Sequence, residues 1–380
     1  MHRKAYKYRI YPTKKQQRAL NETLDECRWL YNHLLEERKT LWETRHESTS
    51  LYRQIDSFRD LKEERPSLKI AHSQVLQNVA VRIELAFKAF FRRVKNGEDP
   101  GYPRFRGKFR YDSFTYPQWE KSCKIEGDRI YLPKIGHVKI ILHRNFQGTP
   151  KTCTVRRTRT GKWFVTIACE IEPQPLPVID TRIGIDVGLE SFATFHTGEK
   201  IENPRFFRKE EQELAKAQRK FDKTDKGTKE RQQRRRVVAR VHERVANKRY
   251  NFIHQHSHRI INQFQIVAVE DLQVNRMVHN HCLAKGIHDA AWSQFFHALT
   301  YKAEYAGRQC IKVNPAYTSQ DCSNCGHRES KKLSERTHSC SCCGLVLDRD
   351  HNAAINILRL GLQSVGIKSV EAHGFLTRVE

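Results

Sequence analysis

Residues 182–188 read Arg-Ile-Gly-Ile-Asp-Val-Gly, a short apolar strand pattern that carries one acidic residue, Asp186. A second apolar run, residues 266–269, ends at Glu270, and Asp350 opens a helical pattern. Strands that alternate with helical stretches in this half of the chain predict an α/β sheet. Burying a carboxylate in such a sheet is costly unless hydrogen bonds or a metal ion compensate it. The three acids are therefore candidates for a common site.

Three converging carboxylates would carry enough negative charge for two Mg²⁺ ions, about 3.5–4 Å apart, an arrangement that cleaves phosphodiester bonds. Each acid also has an ordinary structural explanation. Asp186 could begin a β-turn with Gly188, Glu270 could pair with a cation, and Asp350 could be only a helix N-cap. The spacing does not decide whether the side chains meet.

The net charge indicates the kind of partner. The chain has 380 residues with 69 Lys and Arg against 43 Asp and Glu, a formal charge of +26. Such an excess repels itself in a compact protein, which favours a polyanionic partner, nucleic acid before an anionic membrane. No run approaches the ~18 apolar residues that span a bilayer. Residues 1–5 lead into no apolar signal-peptide core, so we expect the protein to stay inside the cell.

Four of the eleven cysteines form two C-x2-C pairs, each followed by a glycine and separated by fourteen residues. Two such knuckles supply four thiolates, the tetrahedral ligand set of a structural zinc ion with no open coordination position. Cys342 lies inside the second pair, and His327 and His338 are weaker substitute ligands. The predicted ligands of one zinc ion are Cys322, Cys325, Cys340 and Cys343.

The first half of the chain predicts strands interrupted by helices. Residues 4–11 alternate as a strand, and Thr13 with Gln16 fits a capping box that starts a helix running to about residue 42. A second amphipathic helix covers residues 76–94, and strand patterns with turns occupy residues 123–171. Together the strands predict a small β-barrel interrupted by a helical insert.

Two basic stretches are candidates for nucleic-acid contact. Residues 100–111 interleave aromatic side chains with cations, a pattern typical of surfaces that bind phosphates and stacked bases. The same pattern also fits a basic loop whose aromatic side chains lie in the core. Residues 203–249 are basic and mostly helical, and cations outnumber acidic partners after Arg231. A solvated helix with local ion pairs is the alternative there. The candidates are Arg104, Arg106, Lys108, Arg110, Arg231, Arg234, Arg235, Arg236, Arg240, Arg244, Lys248 and Arg249.

The order of these motifs resembles the TnpB family, OrfB-type insertion-sequence proteins that are RNA-guided DNA endonucleases and are similar to compact type V CRISPR effectors. The resemblance implies an RNase H-like (RuvC) nuclease fold in which Asp186, Glu270 and Asp350 are catalytic and bind Mg²⁺. Asp348 is the neighbour most easily confused with Asp350. The matching segments are YRIYPT (8–13) with Gln16, GIDVG (184–188), VEDL (269–272), PAYTSQ (315–320) and DRDHNAAINI (348–357).

The resemblance also implies a multidomain chain that combines α/β and β-barrel architecture. A Pro-rich link at 172–177 separates its two halves. The expected domains are a wedge-like β-barrel (1–14 and 115–172), a helical recognition lobe (15–114), a RuvC-like nuclease (178–314 and 346–364), an inserted zinc ribbon (315–345) and a tail (365–380).

The acidic residues and the resemblance together predict a Mg²⁺-dependent endonuclease, with Mn²⁺ able to replace Mg²⁺. The resemblance implies a double-stranded DNA target that is specified by a guide RNA from the mobile element and by a short adjacent motif. The alternatives are a nuclease-inactive RNA-guided regulator, which would be expected to lose triad acids, and a transposase that acts directly on element ends. A zinc-ribbon transcription factor leaves the acidic motifs unexplained. We expect a cytoplasmic, nucleoid-associated protein of a bacterium or archaeon, with no membrane and no small-molecule organic cofactor.

Overall fold

The computed structural model describes residues 2–332 and 335–367. The chain divides into two compact units, Met1–Glu172 and Pro173–Glu380, and the division falls in the Pro-rich segment. Most of the expected tail, residues 368–380, lies outside the described residues, as do residues 333 and 334 of the expected zinc ribbon. Within the part of the chain that is described, no helix is both long and apolar enough to cross a bilayer.

The first unit is built on a seven-stranded antiparallel sheet. Its strands are β1 (His2–Tyr11), β2 (Ser113–Tyr116), β3 (Lys124–Glu126), β4 (Arg129–Leu132), β5 (Gly136–Ile141), β6 (Thr149–Arg157) and β7 (Trp163–Ile171). β1 is central because it pairs with β7 on one side and β5 on the other. The order is β2-β6-β7-β1-β5-β4-β3. Among the described strands no ladder joins β2 to β3, so hydrogen bonding forms an open sheet, a half-barrel that confirms the predicted small β-barrel in part.

Local sequence explains both the central strand and the helix that follows it. Tyr6, Tyr8 and Ile10 are buried on one face of β1, as its alternation predicts. The capping box is confirmed, since the Gln16 amide donates to Thr13 Oγ1 (3.3 Å) and the Thr13 amide donates to Gln16 Oε1 (3.0 Å). The helices are α1 (Lys14–Arg45), α2 (Leu51–Asp56), α3 (Phe58–Glu64), a 3-10 turn (Pro66–Ile70), α4 (Ser73–Lys95) and α5 (Trp119–Ser122).

The second unit contains a five-stranded mixed sheet and a small two-stranded ribbon. The strands are β8 (Arg182–Asp186), β9 (Ser191–Phe195), β10 (Lys200–Glu202), β11 (Ile266–Glu270), β12 (Gln309–Val313), β13 (Thr337–Ser339) and β14 (Val346–Asp348). The order of the large sheet is β10-β9-β8-β11-β12. β8, β11 and β12 are parallel, whereas β9 and β10 are antiparallel to their neighbours. This confirms the α/β sheet.

Helices cover both faces of this sheet. They are α6 (Phe206–Asp222), α7 (Lys229–Gln263), α8 (Val274–Met277), α9 (His281–Ala290), α10 (Trp292–Ala306) and α11 (Arg349–Ser364). Ile183 and Ile185 join the apolar cluster formed by α7 and α10. Gly184 faces α11, where an added Cβ would lie 2.2 Å from the Ala354 carbonyl oxygen, so only glycine fits. Helices α9 and α10 are separate because Ala291, between them, has φ +58°.

Candidate functional site

Asp186 and Glu270 lie at the same edge of the large sheet. The parallel register of β8 and β11 pairs Ile185 with Val269, so the next residue on each strand is an acid. Asp350 belongs to the first turn of α11, which packs on both strands. Ligand sites in open α/β sheets lie at the carboxyl ends of the strands, where these acids are.

Asp348, not Asp350, is the N-cap of α11. Asp348 Oδ1 accepts hydrogen bonds from the amides of Asp350 and His351, both at 3.0 Å, and its Oδ2 lies 2.8 Å from Lys200 Nζ. The side chain of Asp350 is therefore not needed for capping, although only 9% of the residue is exposed. This removes the ordinary explanation for Asp350.

The three carboxyl groups act on one another electrostatically. Burial raises the pKa of Asp186 well above its usual range, and the charges of Glu270 and Asp350 raise it further. Burial also raises the pKa of Glu270; the hydrogen bond from Thr318 opposes that rise, and the charge of Asp350 adds to it. The three acids, remote in sequence, thus lie close enough to interact electrostatically and form the carboxylate cluster.

The cluster has more negative charge than its neighbours neutralise. Arg336 Nη1 lies 3.6 Å from Asp350 Oδ2, and Arg349 Nη2 lies 3.4 Å from Asp350 Oδ1. In residues 2–332 and 335–367, no basic nitrogen lies within 4.0 Å of a carboxylate oxygen of Asp186 or Glu270. Carboxylate oxygens with uncompensated repulsion fit a hard divalent cation such as Mg²⁺.

The four predicted zinc ligands come together. Cys322 Sγ lies 3.6 Å from Cys343 Sγ, and Cys325 Sγ lies 3.5 Å from Cys340 Sγ. Their ligand atoms all lie within 4.8 Å of one another, and no other group of three or more His, Cys, Asp or Glu ligand atoms in the described residues does so. The cluster fits a zinc ion with four thiolate ligands. The three carboxylates are spread more widely than this.

Two equivalent turns build the thiol cluster. The Gly326 amide donates to the Cys322 carbonyl (2.9 Å) and the Gly344 amide to the Cys340 carbonyl (3.0 Å). Both glycines have positive φ, 78° and 74°, as the C-x2-C-G pattern predicts. Hydrogen bonds from the Asn324 side chain and the Leu345 amide lower the pKa of Cys343 to about 6, which favours its thiolate, whereas burial raises the pKa of Cys322.

The substitute zinc ligands lie outside this group. Cys342 is exposed. His338 is fully buried and its Nδ1 contacts Lys331 Nζ, whereas His327 Nε2 lies 3.6 Å from a Glu329 carboxylate oxygen.

In the first unit, the basic–aromatic loop is exposed. Arg104, Arg106, Lys108 and Arg110 are all on the surface. Three of the loop aromatics are half-exposed, with exposed fractions of 43% for Tyr102, 48% for Phe105 and 53% for Phe109. Tyr111, the last aromatic of the loop, is buried at 6% exposure, so the alternative of aromatics in the core holds for this ring and not for the other three. Asn32 fixes the loop by accepting from the Arg106 amide (2.7 Å) and donating to its carbonyl (3.1 Å).

In the second unit, most of the predicted cations of α7 have intramolecular partners. Glu210 lies 2.8 Å from both Arg244 and Lys248, so these residues join α6 to α7. Arg249 pairs with Asp289, Arg234 pairs with Glu230, and Arg231 donates to backbone carbonyls at the end of α6. Local pairing therefore explains much of this stretch. Arg235, Arg236 and Arg240 are exposed on the same helix.

Two site residues have no role assigned from the sequence. Arg336, between the knuckles, reaches both Glu190 (3.1 Å) and Asp350 (3.6 Å). Thr318 donates to Glu270 Oε1 at 2.6 Å. Thr318 lies within the PAYTSQ motif, but a threonine in a loop gives no sign of a partner 48 residues away.

Three family models match the chain. Residues 1–47 match a model described as "Helix-turn-helix domain", residues 166–281 one described as "Probable transposase" (OrfB_IS605), and residues 292–357 one described as "Cas12f1-like, TNB domain". In this chain, residues 2–45 form one strand and one long helix, β1 and α1.

Curated relatives and solved structures match over most of the chain. A Streptomyces pristinaespiralis protein named "Putative RNA-guided DNA endonuclease" is 36% identical over 368 residues, 95% of this chain and 90% of the relative. Its Escherichia coli (strain K12) counterpart InsQ, which carries the same description, is 29% identical over 94% of this chain and 92% of its own length.

One solved structure is titled "Cryo-EM structure of the Cas12f1-sgRNA-target DNA complex". It has a TM-score of 0.58 at 13% identity and covers 91% of this chain and 83% of that one, a likeness of fold. The identity to the Streptomyces protein and the OrfB match agree with the motifs quoted from the sequence. The chain belongs to the TnpB (OrfB) family of insertion-sequence proteins.

Proposed function

We propose that this protein is an RNA-guided, Mg²⁺-dependent DNA endonuclease whose cleavage site is the cluster of Asp186, Glu270 and Asp350. The observation that carries the proposal is the placement of these acids, from three distant segments, at the carboxyl edge of the sheet, where α11 packs on β8 and β11. The names of the Streptomyces and Escherichia coli relatives supply the RNA guide and the DNA substrate.

The second unit supports an RNase H-like, RuvC-type nuclease. Its sheet has three antiparallel strands, β10-β9-β8, followed by the parallel strands β11 and β12. The candidate acids end the first and fourth strands of this unit and begin the helix that packs on both. The zinc knuckles, Cys322–Cys343, interrupt the chain between β12 and α11 as an insertion in this domain.

The residues of the site suit phosphodiester hydrolysis. When bound, Mg²⁺ supplies activation of a water molecule and stabilisation of the leaving oxygen. Asp186, Glu270 and Asp350 would hold it through carboxylate oxygens, and Thr318 fixes one oxygen of Glu270. Arg336 places a half-exposed positive charge beside Asp350, where it attracts a phosphate. No covalent bond between protein and DNA is required.

The first unit would contribute nucleic-acid contacts through its exposed loop. Arg104, Arg106, Lys108 and Arg110 surround three half-exposed aromatic rings, and this combination binds single-stranded nucleic acid by phosphate neutralisation and base stacking. On α7, Arg235, Arg236 and Arg240 are candidates because all three are exposed.

The proposal is tested by purifying the protein with its RNA from a cell that carries the insertion sequence. We expect a defined RNA that ends in a variable guide, and in Mg²⁺ the complex should cut a plasmid that matches the guide next to the required motif. The matched control is the same plasmid with a scrambled target. Cleavage of both plasmids at the same rate would overturn guidance by RNA, and joining of DNA ends without RNA would favour the transposase.

A further inference from the structure

We infer that Thr318 is a positioning residue for Glu270, and that α11 fastens Thr318 in place through Asn352 and Asn356. The metal affinity of the carboxylate cluster then depends on a segment that leads directly into the first zinc knuckle. This inference rests on the proposed function only in taking Glu270 as a metal ligand.

The hydrogen bond from Thr318 is directed at the carboxylate. The Thr318 hydroxyl has one proton and two acceptors within reach, Glu270 Oε1 at 2.6 Å and the Pro315 carbonyl at 3.2 Å. The shorter contact takes the proton because a bond to an ionised acceptor is stronger. Thr318 is 4% exposed and Glu270 is 8% exposed, so water does not compete for that oxygen. The other oxygen of Glu270 stays available to a cation.

An unusual backbone conformation turns Thr318 inward. Tyr317 has φ +67°, a left-handed conformation that non-glycine residues rarely adopt. Its carbonyl accepts from the amides of Gln320 and Asp321, both at 2.9 Å. Outside the turn, the guanidinium of Arg328 stacks 3.6 Å over the half-exposed Tyr317 ring. Strained backbone persists where surrounding contacts determine it, and it concentrates at functional sites.

Helix α11 holds the same segment from the other side. Asn356 Nδ2 donates to the Thr318 carbonyl (2.9 Å) and to the Asp321 carbonyl (2.6 Å). Asn352 Nδ2 donates to the Asp321 carbonyl (2.9 Å), and its Oδ1 accepts from the Ser323 amide (2.9 Å). Both asparagines are at most 1% exposed. Two buried amides with all these partners fix the segment in one position.

Helix α11 therefore carries one candidate metal ligand, Asp350, and also holds the segment whose Thr318 orients a second one, Glu270. Asp350 lies in the first turn of α11, and Asn352 and Asn356 follow it by two and six residues. The segment they hold ends at Ser323, inside the Cys322–Cys325 knuckle. Partners that orient a metal ligand typically contribute about 10- to 100-fold to metal affinity.

The inference is tested by titrating purified protein, with its zinc retained, with Mn²⁺ and following free Mn²⁺ by electron paramagnetic resonance. We expect Thr318→Val to weaken Mn²⁺ binding about tenfold, in the range typical for lost ligand-orienting partners. Thr318→Ser, which keeps the hydroxyl, should restore binding to within about twofold. The matched control is Thr300→Val, because Thr300 is exposed and donates only within its own helix and to Cys310.

Zinc content and thermal stability show whether each variant is folded. Thr318→Val with normal zinc and wild-type Mn²⁺ affinity would overturn the inference. If Thr318→Val does not fold, Asn356→Ala decides, since it loosens the Thr318 carbonyl without touching Glu270: weaker Mn²⁺ binding supports the inference, and unchanged binding overturns it. If the Mn²⁺ affinities of the wild type and the variants are as expected but the wild type cuts no guided target, the proposed function is contradicted and the inference about Thr318 is not.

Discussion

The thiol cluster and the carboxylate cluster lie in the same unit but are built in opposite ways. The four thiols come from 22 consecutive residues, and local turns at Gly326 and Gly344 hold them. The three carboxylates come from residues 186 to 350, and the register of β8 and β11 and the packing of α11 bring them together. A closed four-thiolate site stabilises a fold, whereas a cluster of like charges destabilises it until a cation binds.

The largest effect expected from this comparison is the loss of cleavage on removing one charge from the carboxylate cluster. Glu270→Gln keeps the shape of the side chain but removes a ligand charge, so we expect guided DNA cleavage to fall at least about a thousandfold. The matched control is Asp271→Asn, because Asp271 is the next residue, is exposed and pairs with Lys312 at 3.2 Å. Equal loss in both variants would contradict a specific role for Glu270.

A smaller effect, on stability, is expected at the thiol cluster. Cys340→Ser removes one of four zinc ligands, and we expect the bound zinc to be lost and Tm to fall by about 5–10 °C, because zinc binding contributes directly to folding. Cys342→Ser is the control, since Cys342 is exposed and outside the group. Zinc measured by mass spectrometry and Tm by calorimetry check this. Zinc loss in the Cys342 variant would show that the ligand assignment is wrong.

The smallest expected effect is an increase in Tm, on removing the charge of Asp186. The folded protein raises the pKa of Asp186 above its unfolded value, so ionisation of Asp186 costs stability, and this loss grows as pH rises through the folded pKa. In chelator at pH 8 we expect Asp186→Asn to raise Tm by about 2–4 °C, roughly 1 kcal/mol for a unit of this size.

Two further measurements bear on that prediction. The gain in Tm should shrink as the pH is lowered, because the carboxyl of the wild-type protein then becomes neutral as well. Mg²⁺ should raise Tm in the wild type and much less in the variant. A variant that is less stable than the wild type at pH 8 in chelator would contradict the account of repulsion in the cluster.

Features that depend on residues close in sequence could be predicted, whereas features that depend on distant contacts could not. The grouping of the four thiols, the capping box at Thr13 and the strand–helix alternation depend on residues close in sequence, and the structure reproduces them. The sequence also identified Asp186, Glu270 and Asp350 as candidates, because an acid in an apolar strand or at a helix start is unusual. Their meeting depends on strand order, which no local pattern contains.

Other features needed the three-dimensional fold. Glu210 pairs with Arg244 and Lys248 on the next helix, so counting nearby charges overestimated the free cations of α7. Asp348 takes the capping role that Asp350 also fits by sequence. Asn352 and Asn356 lie within the apolar pattern of α11, and a buried amide needs hydrogen-bond partners. The sequence does not show that these partners are in the segment of Thr318.

The most direct test of the central claim compares wild-type protein and Asp186→Ala, each loaded with the same guide RNA, on one matched plasmid in Mg²⁺. RNA binding is measured on the same preparations. The account predicts that the wild type cuts the plasmid, that chelator stops it, and that Asp186→Ala retains RNA and target binding without cutting. Cleavage by Asp186→Ala at the wild-type rate, with RNA still bound, would contradict the claim that the carboxylate cluster is the nuclease site.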